Sequence, residues 1–150
     1  MSNEENIVKE LTGKFNYLEG KIAVQRQRRI FAEVSLEHFK EVFEFAVNNA
    51  GFSMLSAITG LDEGANLGFI YHLGKESGIM LNLKTSAPKE NPLIDSVTKY
   101  FPSADIYERE MVDLLGAKVH GLGPGPRYPL TDDWPKEEYP LRKDWKPKDS

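Results

Sequence analysis

From residue 121 onward the chain excludes regular structure. Prolines at 124, 126, 129, 135, 140 and 147, six of the nine in the sequence, fix φ and remove backbone donors too often for a helix or a central strand. The same stretch nevertheless holds both tryptophans, Trp134 and Trp145, together with Tyr128, Leu130, Tyr139 and Leu141. Solvated linkers are Gly/Ser-rich or charged and poor in aromatics. Burying one Trp or Tyr removes roughly 150–250 Å² from water, and proline stiffening lowers the entropy lost when a segment is fixed on a surface. Residues 121–150 therefore read as an extended Pro/aromatic-rich arm that wraps a partner, following a globular domain over 1–120, the rival being a self-contained domain whose arm packs on its own core.

The segment entering the arm, SADIYEREMVDLLG, reads as an amphipathic helix. Tyr107, Met111, Leu114 and Leu115 fall at i, i+4, i+7 and i+8 on one stripe. Ser103 after Pro102 serves as N-cap and Gly116 supplies a left-handed stop. Arg109 and Asp113 share the opposite face, with Glu110 on its border. That face is expected to dock polar groups, Arg109 offering its fork to carboxylates or carbonyls. An acid/base pair drawn from Glu108, Glu110 and Asp113 would instead make a free-standing hydrolase. Carboxylates at i, i+3 beside an arginine are ordinary on a charged helix face, so the docking reading is preferred.

Taken from the start, Ser2 or Asn3 caps a short helix carrying Ile7, Val8, Leu11 and Phe15. Lys21–Gln27 and Arg29–Val34 alternate as strands. The Arg-Gln-Arg-Arg run at 26–29 reads as a solvated edge that discourages strand addition, or more sharply as a docking patch for an acidic partner. Ser35 caps a helix over Leu36–Asn49. Three strands follow, at Phe52–Leu61, Leu67–Leu73 and Ile79–Thr85, with hairpin chemistry in both joins. Asn91-Pro92 is expected to open a further helix, Leu93–Tyr100. The order predicts an α+β fold, a largely antiparallel sheet with helices packed on one face.

Several functions are disfavoured at this level. A net charge of −4 argues against nucleic acid. The absence of cysteine removes disulfides, thiolate metal sites and cysteine-ligated iron–sulfur clusters. No run reaches the ~18–20 apolar residues of a membrane span, and the acidic N-terminus lacks signal-peptide character. The expected location is the cytoplasm, with any membrane attachment made through a partner. His38, His72 and His120 lie in separate elements without ligand spacing. The Gly121–Pro126 loop lacks the backbone donors and the Lys-Ser/Thr of a phosphate loop, and Asp132-Asp133 reads as a turn rather than a cation site.

Glu108-Arg109-Glu110-x-x-Asp113-x-x-Gly116, then Asp132-Asp133-Trp134 and Pro140-Leu141-Arg142-Lys143-Asp144-Trp145, together resemble the signature of the thirty-kilodalton subunit family of respiratory complex I. Equivalent subunits occur in membrane-bound [NiFe] hydrogenases and related ferredoxin- or F420-linked complexes. The motif likeness covers roughly the last forty-five residues. It departs from the complex I pattern at Val119-His120-Gly121-Leu122 and in the inserted Gly-Pro-Gly-Pro before Arg127, which favours the hydrogenase-like branch and carries no histidine role across. The resemblance implies a non-catalytic subunit that docks on the large catalytic subunit of a hydrogenase, with a complex I-type NADH or F420H2:quinone oxidoreductase as the alternative. Its partners would be that large subunit and a small iron–sulfur subunit. Cofactors would be held by those partners, as iron–sulfur clusters and, in the hydrogenase branch, nickel–iron, and none by this chain. The interface would use Glu108, Arg109, Glu110, Asp113, Arg127, Asp132, Asp133, Trp134, Leu141, Arg142, Lys143, Asp144 and Trp145.

Overall fold

The computed structural model describes residues 2–147, so the last three residues of the expected arm lie outside it. Helix α1 (Asn3–Lys14) starts at a reciprocal capping box. Glu5 N–H donates to Ser2 Oγ at 3.1 Å, and Ser2 N–H donates to the Glu5 carboxylate at 3.3 Å. A single 3₁₀ turn, Asn16–Leu18, leads into β1 (Ile22–Arg26) and β2 (Arg29–Glu33). Helix α2 (Leu36–Asn48) buries Phe39, Val42, Phe43 and Ala46, the stripe its 3.6-residue period requires. Ser35 precedes it with extended backbone but makes no side-chain cap bond.

β3 (Met54–Asp62), β4 (Asn66–Gly74) and β5 (Met80–Pro88) complete a five-stranded sheet in the order β1-β2-β5-β4-β3. The short turns joining β3 to β4 and β4 to β5 require antiparallel neighbours. β2 and β5 run parallel, from Arg29 beside Met80 to Glu33 beside Lys84. α2 and the β3–β4 hairpin supply the long connection that parallel pairing demands. The class is α+β with a largely antiparallel sheet, as the sequence predicts.

Two compact units are present. The first comprises residues 1–59 and 69–85. Its core is aromatic, with Tyr71 fully buried 4.7 Å from Phe39 and 5.6 Å from Phe43 between ring centroids. The second comprises 60–68 and 86–150, so the described part of the arm belongs to it. It contains β6 (Leu93–Asp95), α3 (Ala104–Leu115) and β7 (Lys118–His120).

Here one expectation fails. Leu93–Tyr100 is not a helix; residues 93–95 pair in parallel with Lys118–His120 instead. The donors beyond are also engaged elsewhere: Ser96 N–H by His120 O at 2.8 Å and Val97 N–H by Glu108 at 2.7 Å. Proline at a first turn is a local signal, and tertiary pairing overrides it.

Candidate functional site

Helix α3 ends as its sequence dictates, with Gly116 in the left-handed region at φ 81°. A side chain there would be strained, and its Cβ would also lie 2.6 Å from the Tyr139 ring and 2.7 Å from Arg142 Nη2. The arm thus lies against the end of the helix that precedes it. At the start of the second unit, a Cβ on Gly60 would sit 2.2 Å from Leu115 Cδ1 and 2.4 Å from Met111 Sδ. Only a glycine lets that strand meet α3 so closely.

The buried face of α3 overlaps the apolar stripe at Met111 and Leu115 but also takes in Glu108. Ala104, Glu108, Met111 and Leu115 face inward, while Tyr107 and Leu114 are half-buried. Glu108 is fully buried and accepts from Ser96 Oγ at 2.6 Å and from Val97 N–H at 2.7 Å. Burial raises its pKa, opposed by those two hydrogen bonds. It clamps the turn after β6 to the helix from a buried position, whereas the expected docking face would have it exposed.

Asp113 and Arg109 also act within the chain. The Asp113 carboxylate accepts from Arg127 Nε at 3.1 Å and from Leu130 N–H at 3.0 Å. Arg127 continues to the Trp134 carbonyl through Nη1 at 2.6 Å. Arg109 forks onto Asp105 at 2.8 and 3.1 Å and donates to Gly123 O at 2.7 Å. Gly125 lies flat on that guanidinium, since a Cβ there would be 2.7 Å from Arg109 Cζ. The Gly/Pro loop is therefore held by arginine, not arranged around an anion.

The far end of the arm has a second latch. Asp62, at the end of β3, accepts from Lys89 Nζ at 2.8 Å, Gly64 N–H at 2.9 Å and Lys143 N–H at 2.7 Å. Its side chain is only 1% exposed. The Lys89 bond, reinforced by the two backbone donors against the opposing effect of burial, holds the carboxyl far below the usual range and raises Lys89 in turn. Asp144 lies 3.4 Å from the same ammonium. Arg142 Nε donates to the Leu115 carbonyl at 2.6 Å, and Leu141 N–H donates to Leu114 O at 2.9 Å. These two donors satisfy carbonyls that every helix end leaves orphaned.

Among the described residues the arm has no regular secondary structure, but its own bonds define it. Trp134 Nε1 donates to Glu138 O at 2.8 Å, and the Trp134 and Trp145 rings lie 5.9 Å apart. Both tryptophans are half-buried within the unit. Thr131 bonds Asp133, which lowers the Asp133 pKa, and Asp132 is exposed. Glu110 is half-buried, and Lys143 and Asp144 lie at the exposed rim. Among these exposed polar groups, two large apolar side chains of the arm also face outward, Tyr128 at 45% and Leu141 at 52% exposure, and Leu61, Leu93 and Ile106 of the same unit are exposed large hydrophobics.

Sequence reasoning misses Asp62 and Lys89. No local signal marks them, because Asp62 and Lys143 stand 81 positions apart. Among the described residues, no three His, Asp or Glu side chains form a group able to hold a metal ion. His38 stacks on Tyr17 at 4.0 Å, His72 bridges Thr59 and Asn82 at 2.7 Å each, and His120 lies 3.3 Å from Asp95. No described helix is long and apolar enough to cross a membrane.

Residues 32–150 match the family described as the respiratory-chain NADH dehydrogenase 30 kDa subunit. The chain belongs to this family. The match reaches well before the C-terminal motifs that carry the resemblance in sequence, and it takes in the end of β2 and the three strands β3–β5. The chain is 32% identical to a subunit of the F(420)H(2) dehydrogenase of Methanosarcina mazei over 113 residues, covering 73% of this chain and 72% of that protein. It is 28% identical to the beta subunit of the membrane-bound hydrogenase of Pyrococcus furiosus over 142 residues, covering 91% and 82%. A chain of the membrane-bound sulfane sulfur reductase, an archaeal respiratory membrane complex, superposes with a TM-score of 0.82 at 26% identity, covering 97% of this chain and 86% of that one.

Proposed function

We propose that this chain is a non-catalytic peripheral subunit that docks on the large catalytic subunit of a membrane-bound [NiFe] hydrogenase or a related energy-converting electron-transfer complex. Family membership and the relatives above make it a subunit of a complex of the complex I-like and membrane-bound hydrogenase kind. The finer reading rests on one observation: the arm is latched to its own unit while Tyr128 and Leu141 point outward. Pre-ordering a segment before it meets a partner lowers the entropy lost on association. Aromatic anchors on such a segment are the residues that dominate binding energy. A small iron–sulfur subunit would be the second neighbour. The clusters and any nickel–iron centre would sit in those partners, and the chain would reach the inner face of the membrane through them.

The likeness to the F(420)H(2) dehydrogenase protein supports a second reading, in which the large subunit belongs to a complex I-type quinone oxidoreductase. Affinity purification of the native complex through a tag on this chain distinguishes the two. Nickel in stoichiometric amount with the co-purified large subunit marks the hydrogenase branch, and its absence from an intact, active complex marks the other. The docking reading itself is tested by Tyr128→Ser combined with Leu141→Ser. The variant is expected to melt like the parent and to lose the large subunit on purification. Full recovery of the complex would overturn the reading.

A further inference from the structure

The β1–β2 hairpin carries a feature that neither the fold nor the arm accounts for. Arg26 pairs with Arg29 across it, so Gln27 and Arg28 form a two-residue turn. Arg28 sits there at φ 64°, in the left-handed region that glycine occupies without strain and that other residues rarely adopt. Its carbonyl accepts from Met80 N–H at 2.9 Å and from Arg29 Nη1 at 2.9 Å, which pins the turn. Its side chain passes over Gly78 of the neighbouring β4–β5 turn, where a Cβ would lie 3.8 Å from Nη1.

Arg26 and Arg28 are exposed, and neither guanidinium meets a carboxylate among the described residues. The turn also precedes residues 32–150, the stretch matched to the family.

From these observations we infer that the 26–29 hairpin is a second docking point, a rigid arginine fork that receives a carboxylate-bearing segment of a neighbouring subunit. This inference rests on the chain being part of a larger assembly, but not on the role given to the arm. Three points select the occupant. The charges are arginine without lysine, and arginine presents a planar fork matched to carboxylates. The turn is fixed and short, which suits a defined geometry. Three cations also fall short of the ~4–8 clustered Lys/Arg residues typical of segments held on anionic lipid. A glycine at 28 would relieve the backbone, so the arginine stands there at a local cost, as is common where strain accompanies function.

The test exploits opposite signs. Arg28→Gly should raise the melting temperature of the isolated chain by about 2–4 °C, because it removes left-handed strain. In the intact complex, Arg28→Gly combined with Arg26→Gln should lower the sodium chloride concentration at which this chain dissociates and weaken its retention by roughly tenfold or more, the scale of losing a charge-assisted contact. A stabilised chain with unchanged salt resistance of the complex would overturn the proposal. So would flotation of the wild-type chain, but not the variant, with phosphatidylglycerol vesicles while the complex is unaffected, since that would assign the fork to a membrane surface. Release by the arginine variant alongside full retention of the Tyr128/Leu141 variant would refute the arm reading and leave this one standing.

Discussion

The backbone N–H of Lys143 donates to the Asp62 carboxylate at 2.7 Å across 81 positions of sequence. This bond, with the Lys89 ion pair beside it, ties the far end of an irregular arm to the hairpin turn after β3. The arm is thus shaped by two carboxylates of its own chain, Asp62 and Asp113, before any partner is considered.

Asp62→Asn should loosen that end of the arm. Hydrogen bonds to a charged group contribute about 1.5–3 kcal/mol each, so a loss of that order is expected in chemical denaturation of the isolated chain. The pH dependence has a definite sign. The folded carboxyl titrates below its unfolded value, so its contribution is complete above that unfolded value of ~4, and is lost as pH falls through it toward the folded one. The Asn variant should lack this acid-side component. A variant as stable as the parent from pH 3 to 7 would remove Asp62 from the latch.

Glu108 should behave in the opposite way. Burial raises its folded pKa, so stability declines as pH rises from the unfolded value of ~4.3 through the folded one. Glu108→Gln keeps an acceptor for Val97 N–H and removes the buried charge. It should match or exceed the parent at pH 7, with the difference vanishing below pH ~4. Glu108→Ala leaves that N–H unpaired and should lose about 2–3 kcal/mol. A Gln variant as unstable as the Ala variant would show that the charge itself is required.

Arg109→Ala should destabilise the isolated chain, unlike the loss of an ordinary exposed helix-face arginine. Its fork on Asp105 and its bond to Gly123 O predict a loss of about 1–2 kcal/mol. Arg109→Lys should not restore it, because an ammonium cannot reproduce the two-pronged geometry. A melt unchanged by the Ala substitution would place Arg109 back among residues acting only at an interface.

How much of the molecule is legible in its sequence depends on how local each signal is. The period of Phe39, Val42, Phe43 and Ala46, the hairpin joins of β3–β5 and the stop at Gly116 depend on neighbours within a turn or two, and each appears as expected. The apolar stripe of α3 finds Met111 and Leu115 but misses Glu108, a charged residue in an inward position made tolerable by Ser96 and the Val97 N–H. Nothing in a single sequence announces such a partner. The same holds for residues 93–95, whose strand exists through Lys118–His120. The aromatic richness of the arm argues against a solvated linker, but a carboxylate 81 residues away decides where it lies.

Hydrogen–deuterium exchange of residues 127–145, in the free chain and in the purified complex, tests the central claim most directly. A latched arm predicts that the amides of Leu130, Leu141 and Lys143, bonded to Asp113, Leu114 O and Asp62, exchange well below random-coil rates in the isolated protein. It also predicts that assembly adds protection around Tyr128 and Leu141. Random-coil exchange across the arm in the free chain, or no added protection in an intact complex, would contradict a pre-ordered arm that docks a partner.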